Sequence, residues 1–312
     1  MTIYTNYFTV PVSYRPFDDR WLYWEATTKL LDEKRTEFFE QVFPGNLFLS
    51  ASTKSRRGAN PPTITDKFSA YHLQDPYALY FPLYTRLVAK AQQSLFAEPK
   101  QQLNIKPVLL DGLMQTLGCS ASEREAIGVA LFYHILAITR APSYEAENEG
   151  YLMQNWPRIP LPGSLEGLRA SAALGRQVAD LLRPDVPFAA PAALGRLAVP
   201  TRKDGGQLGE NDLSITVRYA GVGHYESPAG ARPGRLWWNK VGYWENVPEE
   251  VYVFTIGGYP VLKKWLDYRH VEKLGRPLRY EEARYVSEMV RRIAALLALG
   301  PALDEGYRAA KG

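Results

Sequence analysis

A chain of 312 residues with 46% hydrophobic content can bury a substantial core, and its length allows two domains or one large composite one. Its one cysteine, Cys119, excludes an intrachain disulfide framework and fits a reducing compartment, while His72, His134, His224 and His270 lie too far apart for short ligand spacings, so no metal is expected. A net charge of +4 does not establish nucleic-acid binding, which leaves that argument to local strips of charge.

The first residues, 1–19, lack a basic segment followed by an apolar core, so they do not read as a secretory signal. The longest apolar stretch, 293–303, is broken by Gly300-Pro301 and is too short to span a bilayer. A soluble, cytoplasmic protein without membrane contact is expected.

In chain order, β-branched and aromatic runs punctuated by Pro and Gly predict strands at 4–14, 21–24, 47–50 and 70–72, with one helix over 34–42 before Pro44-Gly45. From Pro107 to about Leu182 the period becomes helical. Ser122 and Glu125 have the spacing of a capping box, and Ile127, Leu131, Ile135 and Ile138 follow on one face until Pro142. A further helix over 164–182 presents Leu165, Leu168, Ala172, Val178 and Leu182. Repeated Pro and Gly make 183–212 a loop or connection.

Strands are then predicted at 213–220, 235–241 and 251–256, and a last helix at 281–299 buries Val286, Met289, Val290, Ile293, Leu296 and Leu297. Gly300-Pro301 stops it. Arg291 and Arg292 flank that face and read as solvated. The whole is an α+β fold: a sheet-rich N-terminal part (1–106), a helical part (107–183), a linker (184–212), and a C-terminal part (213–312) with a small antiparallel sheet and helices.

Signals for catalysis are sparse. Asn60-Pro61-Pro62-Thr63 resembles the Asn-Pro-Pro-aromatic motif of amino-methyltransferases, in which the Asn and a backbone carbonyl accept hydrogen bonds from the target amine while the ring stacks on the flipped base. Thr63 cannot stack, and no Gly-rich cofactor turn precedes it. The chain shows no alternation of strands and helices for a doubly wound methyltransferase, and no Walker-type loop. Gly221-Val222-Gly223 reads as a turn, and Cys119 as an ordinary residue before a helix. No catalytic residue and no cofactor are assigned to this chain.

The densest signal lies between Asn246 and Arg279. A strand-like run ends at Gly257-Gly258, Pro260 follows, and within 263–279 six basic residues meet two acids, Asp267 and Glu272. Lys263, Lys264, Arg269 and Arg276, interleaved with Trp265, Tyr268 and His270, form a strip suited to a phosphate backbone, against the plain alternative of a solvated helix face anchored by Trp265. Lys54, Arg56 and Arg57, in a polar loop, are further candidates for DNA contact. Arg235, Trp238, Asn239 and Lys240 combine side chains suited to base edges and phosphates on an exposed hairpin. Most of the other aromatics in the last third belong to the core.

The block with Gly257-Gly258-Tyr259-Pro260 and Leu262-Lys263-Lys264-Trp265-Leu266 resembles the C-terminal specificity region of type ISP and related single-chain restriction-modification enzymes. So do Phe132-Tyr133-His134-Ile135-Leu136, Ala141-Pro142-Ser143-Tyr144 and Trp156-Pro157-Arg158-Ile159-Pro160. Weaker likeness lies at Tyr14-Arg15-Pro16-Phe17-Asp18 with Arg20, at Pro44-Gly45-Asn46, and at Phe81-Pro82-Leu83-Tyr84. The pieces fall in the family's order over most of the chain.

The resemblance implies a target-recognition region of an adenine-N6-methylating system that binds double-stranded DNA and is not catalytic by itself. S-adenosylmethionine would be held by a partner or missing methyltransferase domain, beside helicase and nuclease parts. It also implies that Met1 lies near the junction after a methyltransferase domain, in a split specificity subunit or a gene remnant. Two alternatives stay open: a protein-interaction module docking a methyltransferase, and an Asn60 loop contributing to a composite active site.

Overall fold

The computed structural model describes residues 9–25, 30–31, 35–52, 60–70, 73–74, 78–86, 101–219, 224–227 and 233–312. The chain divides into two compact units, residues 1–182 with 301–312, and residues 183–300. The expected loop bearing Lys54, Arg56 and Arg57 falls outside the described residues, as do His72 and Gly221-Val222-Gly223.

The first unit opens with small sheets. Strands β1 (Thr9–Arg15) and β2 (Asp18–Tyr23) form an antiparallel hairpin. The helix expected over 34–42 is reduced to one turn, α1 (Thr36–Phe39), whose leading Arg35 is left-handed and supplies no side-chain cap. Strand β3 (Phe48–Ala51) is followed by β4 (Thr63–Thr65), β5 (Phe68–Ser69) and β6 (Leu79–Pro82). β3 lies between β4 and β6, and β5 pairs parallel with β1. β3 is buried along its whole length, including Ser50, whose hydroxyl donates to Gln74 Oε1 at 2.9 Å. A last ribbon pairs β7 (Tyr84–Arg86) with β8 (Gln101–Leu103).

Four helices follow: α2 (Pro107–Leu117), α3 (Arg124–Thr139), α4 (Pro142–Leu152) and α5 (Leu165–Leu182). The capping box sits two residues earlier than its spacing suggested. Ser120 N donates to Glu123 Oε2 at 3.0 Å, ahead of a short 3-10 turn, Ala121–Glu123. α3 stops just ahead of Pro142 as expected, with Ala141 extended before the proline. The same proline opens α4, where its missing N–H costs nothing.

Ile127, Leu131 and Ile138 are buried as the period required, but α3 is covered nearly all round. α5 explains this, because Gly175 lies so close to α3 that a Cβ there would sit 2.0 Å from the Tyr133 carbonyl oxygen. No single helix among the described residues is long and apolar enough to cross a membrane.

The second unit begins in the stretch expected as linker, and part of that stretch is a strand. β9 (Val199–Arg202) joins β10 (Tyr225–Glu226), β11 (Gly234–Trp237) and β12 (Gly242–Val247) in an antiparallel sheet of order β10-β11-β12-β9. The strand expected at 213–220 does not pair in a sheet among the described residues. Leu213, Ile215 and Tyr219 are buried, while neighbouring backbone bonds run from Thr216 N to Trp238 O at 2.9 Å and from Val271 N to Ile215 O at 2.9 Å.

The strand expected at 251–256 is also corrected. Its first half is a helical turn, α6 (Glu249–Tyr252), after Pro248 at the N-cap; only β13 (Thr255–Ile256) is extended, paired with β14 (Tyr259–Pro260). Gly257 and Gly258, at φ 58° and 68°, supply the two left-handed positions that a two-residue turn between such strands requires.

α7 (Val261–Tyr268) and α8 (Val271–Leu274) lead to α9 (Tyr280–Ala298). Trp244 of the sheet packs against α9, its Nε1 donating to Ala283 O at 3.2 Å. Val286, Met289, Val290, Ile293 and Leu296 are buried as expected, but Leu297 is exposed. Arg292 is the clearest correction on this helix. It is 1% exposed rather than solvated, with Nε on Glu288 at 2.7 Å and Nη1 on Arg183 O at 3.2 Å. A buried guanidinium needs such partners. Gly300-Pro301 ends α9 but opens α10 (Gly300–Lys311), which returns to the first unit, where Tyr307 and Lys311 both reach Glu147 at 2.8 Å.

Candidate nucleic-acid interface

The α7 strip is built on an amphipathic helix. Val261, Leu262, Trp265 and Leu266 point into the core, which leaves Lys263 and Lys264 half-buried on the flank. Lys263 Nζ lies 4.4 Å from the centroid of Tyr252. Lys264 has no ion pair among the described residues. Arg269, just past the helix, stacks over Trp265 with Cζ 3.6 Å from the ring centroid. Cations laid on rings keep their charge at the surface and lose little freedom there.

Arg276 is placed differently. Its Nη1 and Nη2 grip Glu282 at 2.7 and 2.9 Å, and Glu282 also accepts from Arg279 N at 2.7 Å at the start of α9. The hydrogen bond from Arg276 is the main cause of the lowered pKa of Glu282, and the pair holds the Arg276 guanidinium above its usual range. This arginine is engaged in fastening a helix terminus, which sequence spacing could not distinguish from a free cation.

The β11–β12 hairpin divides its four candidates. Arg235 lies on the outer face beside Glu245, at 3.7 Å, with Cζ 4.9 Å from the Tyr243 ring centroid. Lys240 is exposed in the turn. The expectation that Trp238 reaches outward is corrected: it is 1% exposed, and its Nε1 donates to Asp212 O at 2.7 Å. Asn239 is similarly engaged. Its Nδ2 donates to Asp212 O and Ser214 O at 2.7 and 3.0 Å, and its Oδ1 accepts from Val241 N and Gly242 N at 2.9 and 2.8 Å. With all four bonds made, Asn239 has no amide capacity left for a base edge.

Sequence reading missed the outer sheet face and Lys203. Lys203 follows β9, directly opposite Val241, and donates its N–H to Val241 O at 2.8 Å. Its Nζ lies 6.0 Å from the Trp237 ring, and Trp237 tilts onto Tyr243 at 4.6 Å. The signal for this row was the alternation Arg235, Trp237 on β11, but Lys203 became legible only once β9 was known to pair with β12.

The Asn60 motif is closed upon itself. Gln74 Nε2 donates to Asn60 Oδ1 at 3.0 Å and to Pro61 O at 2.9 Å, while Ser50 Oγ donates to Gln74 Oε1 at 2.9 Å. Asn60, Thr63, Ser50 and Gln74 are all buried. The two acceptors that a target amine would need are therefore held by the chain's own amide.

Residues 2–293 match the family model of the Type ISP C-terminal specificity domain, and the chain belongs to that family. Its fold is similar to three solved structures. These are the ATP-dependent Type ISP restriction-modification enzyme LlaBIII bound to DNA (15% identity, TM-score 0.65, 98% of this chain and 19% of that one), the DrdV–DNA complex (16%, 0.66, 100% and 29%), and a nuclease-deletion mutant of the Type ISP enzyme LlaGI with a DNA substrate mimic (17%, 0.60, 97% and 25%). The chain thus spans less than a third of the length of each. No curated protein sequence matches it significantly.

Proposed function

We propose that this chain recognises a target sequence in double-stranded DNA on behalf of a restriction-modification enzyme and does not modify the DNA itself. The observation that carries the reading is the specificity-domain match over residues 2–293. Lys263, Lys264, Arg269, Arg235 and Lys240 add to it, being cations placed at the surface or against aromatic rings. Such groups position a duplex through phosphates, while a few of them read base edges in the major groove.

S-adenosylmethionine binding and extrusion of the adenine belong, in this reading, to a methyltransferase domain or subunit, with helicase and nuclease parts beside it, in the cytoplasm where the DNA lies. The closed Gln74–Asn60 pair disfavours the composite-active-site alternative. Selection of bound duplexes from a random library by the purified chain tests the proposal. Enrichment of one sequence, with affinity falling steeply as salt rises, is the expected result. Binding that ignores both sequence and salt would overturn it and favour a protein-docking module.

A further inference from the structure

The cations of the second unit sort into engaged and unengaged groups. Arg202 bridges Asp204 at 3.0 Å and Asp212 at 3.3 Å, Arg218 pairs with Glu272, Arg276 with Glu282, and Arg292 is buried with Glu288. Lys203 and Lys240 are exposed and have no carboxylate partner among the described residues. They stand on adjacent backbones. The ladder pairs Gly242 with Arg202, and the Lys203 N–H continues it onto Val241 O, so Lys203 lies across from Val241 and next to Lys240.

The turn that carries Lys240 and Val241 is held at both ends. Asn239 fixes it to the short 3-10 segment Glu210–Leu213 and to its own β12 start, and Trp238, buried beneath, locks the same segment through Asp212 O. Gly242 is required there, because a Cβ would meet Trp238 Cζ2 at 2.1 Å. Val241 is 38% exposed at the tip, an apolar side chain between two lysines. The opposite face of the sheet is covered, since Leu236 and Trp244 are fully buried.

We propose that the rigid turn Trp238–Gly242, with Lys203 beside it, is a DNA-reading edge: Lys203 and Lys240 contact phosphates, Val241 meets a base edge, and Asn239 is the positioning residue that holds the turn. The inference rests on the DNA-recognition reading. Charge complementarity commits the edge to a polyanion. Arg202 sets one positive charge against Asp204 and Asp212, and the two lysines, without carboxylate partners among the described residues, bring these five groups to a net charge of +1. An apolar tip of this kind suits the methyl group of a thymine in the major groove, and the preformed turn loses little freedom on binding.

The test uses the whole chain with a fluorescent duplex of about three helical turns carrying the selected sequence, titrated over a range of salt. Replacing Lys203 and Lys240 by Ala should flatten the slope of log K against log salt by about 0.9 for each phosphate no longer neutralised, and the Lys203→Arg/Lys240→Arg variant should restore it. Val241→Ser should leave the slope unchanged while reducing discrimination at one base pair, roughly tenfold or more. A full slope in the double Ala variant, with the native chain binding DNA normally, would remove this edge from the interface and leave the DNA reading intact. Failure of the native chain to bind any duplex would overturn both.

Discussion

The Gln74 side chain gives both of its amide hydrogens to the Asn60 segment, one to Asn60 Oδ1 at 3.0 Å and the other to Pro61 O at 2.9 Å. This is the hydrogen-bonding pattern that an exocyclic amine would need, realised inside the protein. With those acceptors occupied, Thr63 in place of an aromatic and no Gly-rich cofactor turn in the sequence, the purified chain is expected neither to bind S-adenosylmethionine nor to transfer a methyl group to DNA; calorimetry with the cofactor and a tritium-transfer assay check this. Gln74→Ala should instead cost stability, about 2–3 kcal/mol, because buried Ser50, Asn60 and Pro61 groups lose their partner. Methyl transfer to DNA by the native chain would contradict the closed-pair interpretation, and tight cofactor binding would contradict the expectation drawn from the missing cofactor turn.

A second expectation concerns Gly175, where the backbones of α3 and α5 approach most closely. With the Tyr133 carbonyl oxygen 2.0 Å from any added Cβ, Gly175→Ala must push the two helices apart, and no flexible side-chain end is available to yield. The expected destabilisation is about 1–3 kcal/mol, despite the better helix propensity of Ala. Chemical denaturation measures it. Unchanged stability would mean that α5 can shift along α3 at little cost.

Between these helices His134 supplies a pH dependence. It is fully buried, facing Ser171 Oγ at 2.7 Å through Nδ1 and Pro160 O at 2.9 Å through Nε2. Burial lowers its pKa below the usual value, with the Pro160 hydrogen bond opposing. The unfolded chain then takes up a proton first as pH falls below about 6.5, so this group's contribution is intact above that pH and is lost as pH drops toward the folded-state pKa. Glu145, whose pKa is raised by burial, acts in the opposite sense at lower pH, so the comparison must be with a variant. Denaturation midpoints of the native chain and His134→Gln should converge on acidification. Parallel curves between about pH 7.5 and 5.5, the range that brackets the ordinary histidine value, would refute the assignment.

How much of this was legible in the sequence depended on whether the determining interaction was local. The α+β class, the order of family motifs, the buried face of α9 and the Gly257-Gly258 turn all follow from spacing and residue type, and the family match agrees with the motif reading. Partners distant in sequence were invisible. Nothing in the Pro- and Gly-rich stretch announced that Val199–Arg202 would pair with β12, so Lys203 went unnoticed. Arg292 read as a flanking cation because its carbonyl partner at Arg183 lies 109 positions away. Trp238 and Asn239 had the right chemistry for bases, but their bonds to Asp212 turned that chemistry inward.

The cationic block on α7 offers the sharpest contrast among nearby basic residues. Lys263 rests on Tyr252 and Lys264 has no ion pair among the described residues, whereas Arg276 is clasped by Glu282. If the first two meet phosphates, replacing both by Ala weakens binding to every duplex and flattens the salt slope by roughly one unit for each phosphate no longer neutralised. Arg276→Ala should leave the slope unchanged while loosening the start of α9, at a cost of about 1 kcal/mol, since the pair is partly solvated and Glu282 keeps its bond to Arg279 N. Arg235→Ala should change the preference among sequences by about 1–3 kcal/mol if its guanidinium reads a base, and Glu245, released from its neighbour, makes Arg235→Gln the better-balanced companion. Circular dichroism first establishes that each variant is folded, because Trp265 beneath Arg269 is a core anchor, only 2% exposed. An unaltered slope in the Lys263→Ala/Lys264→Ala protein, with Arg276→Ala as its control, would reduce the α7 strip to a solvated helix face.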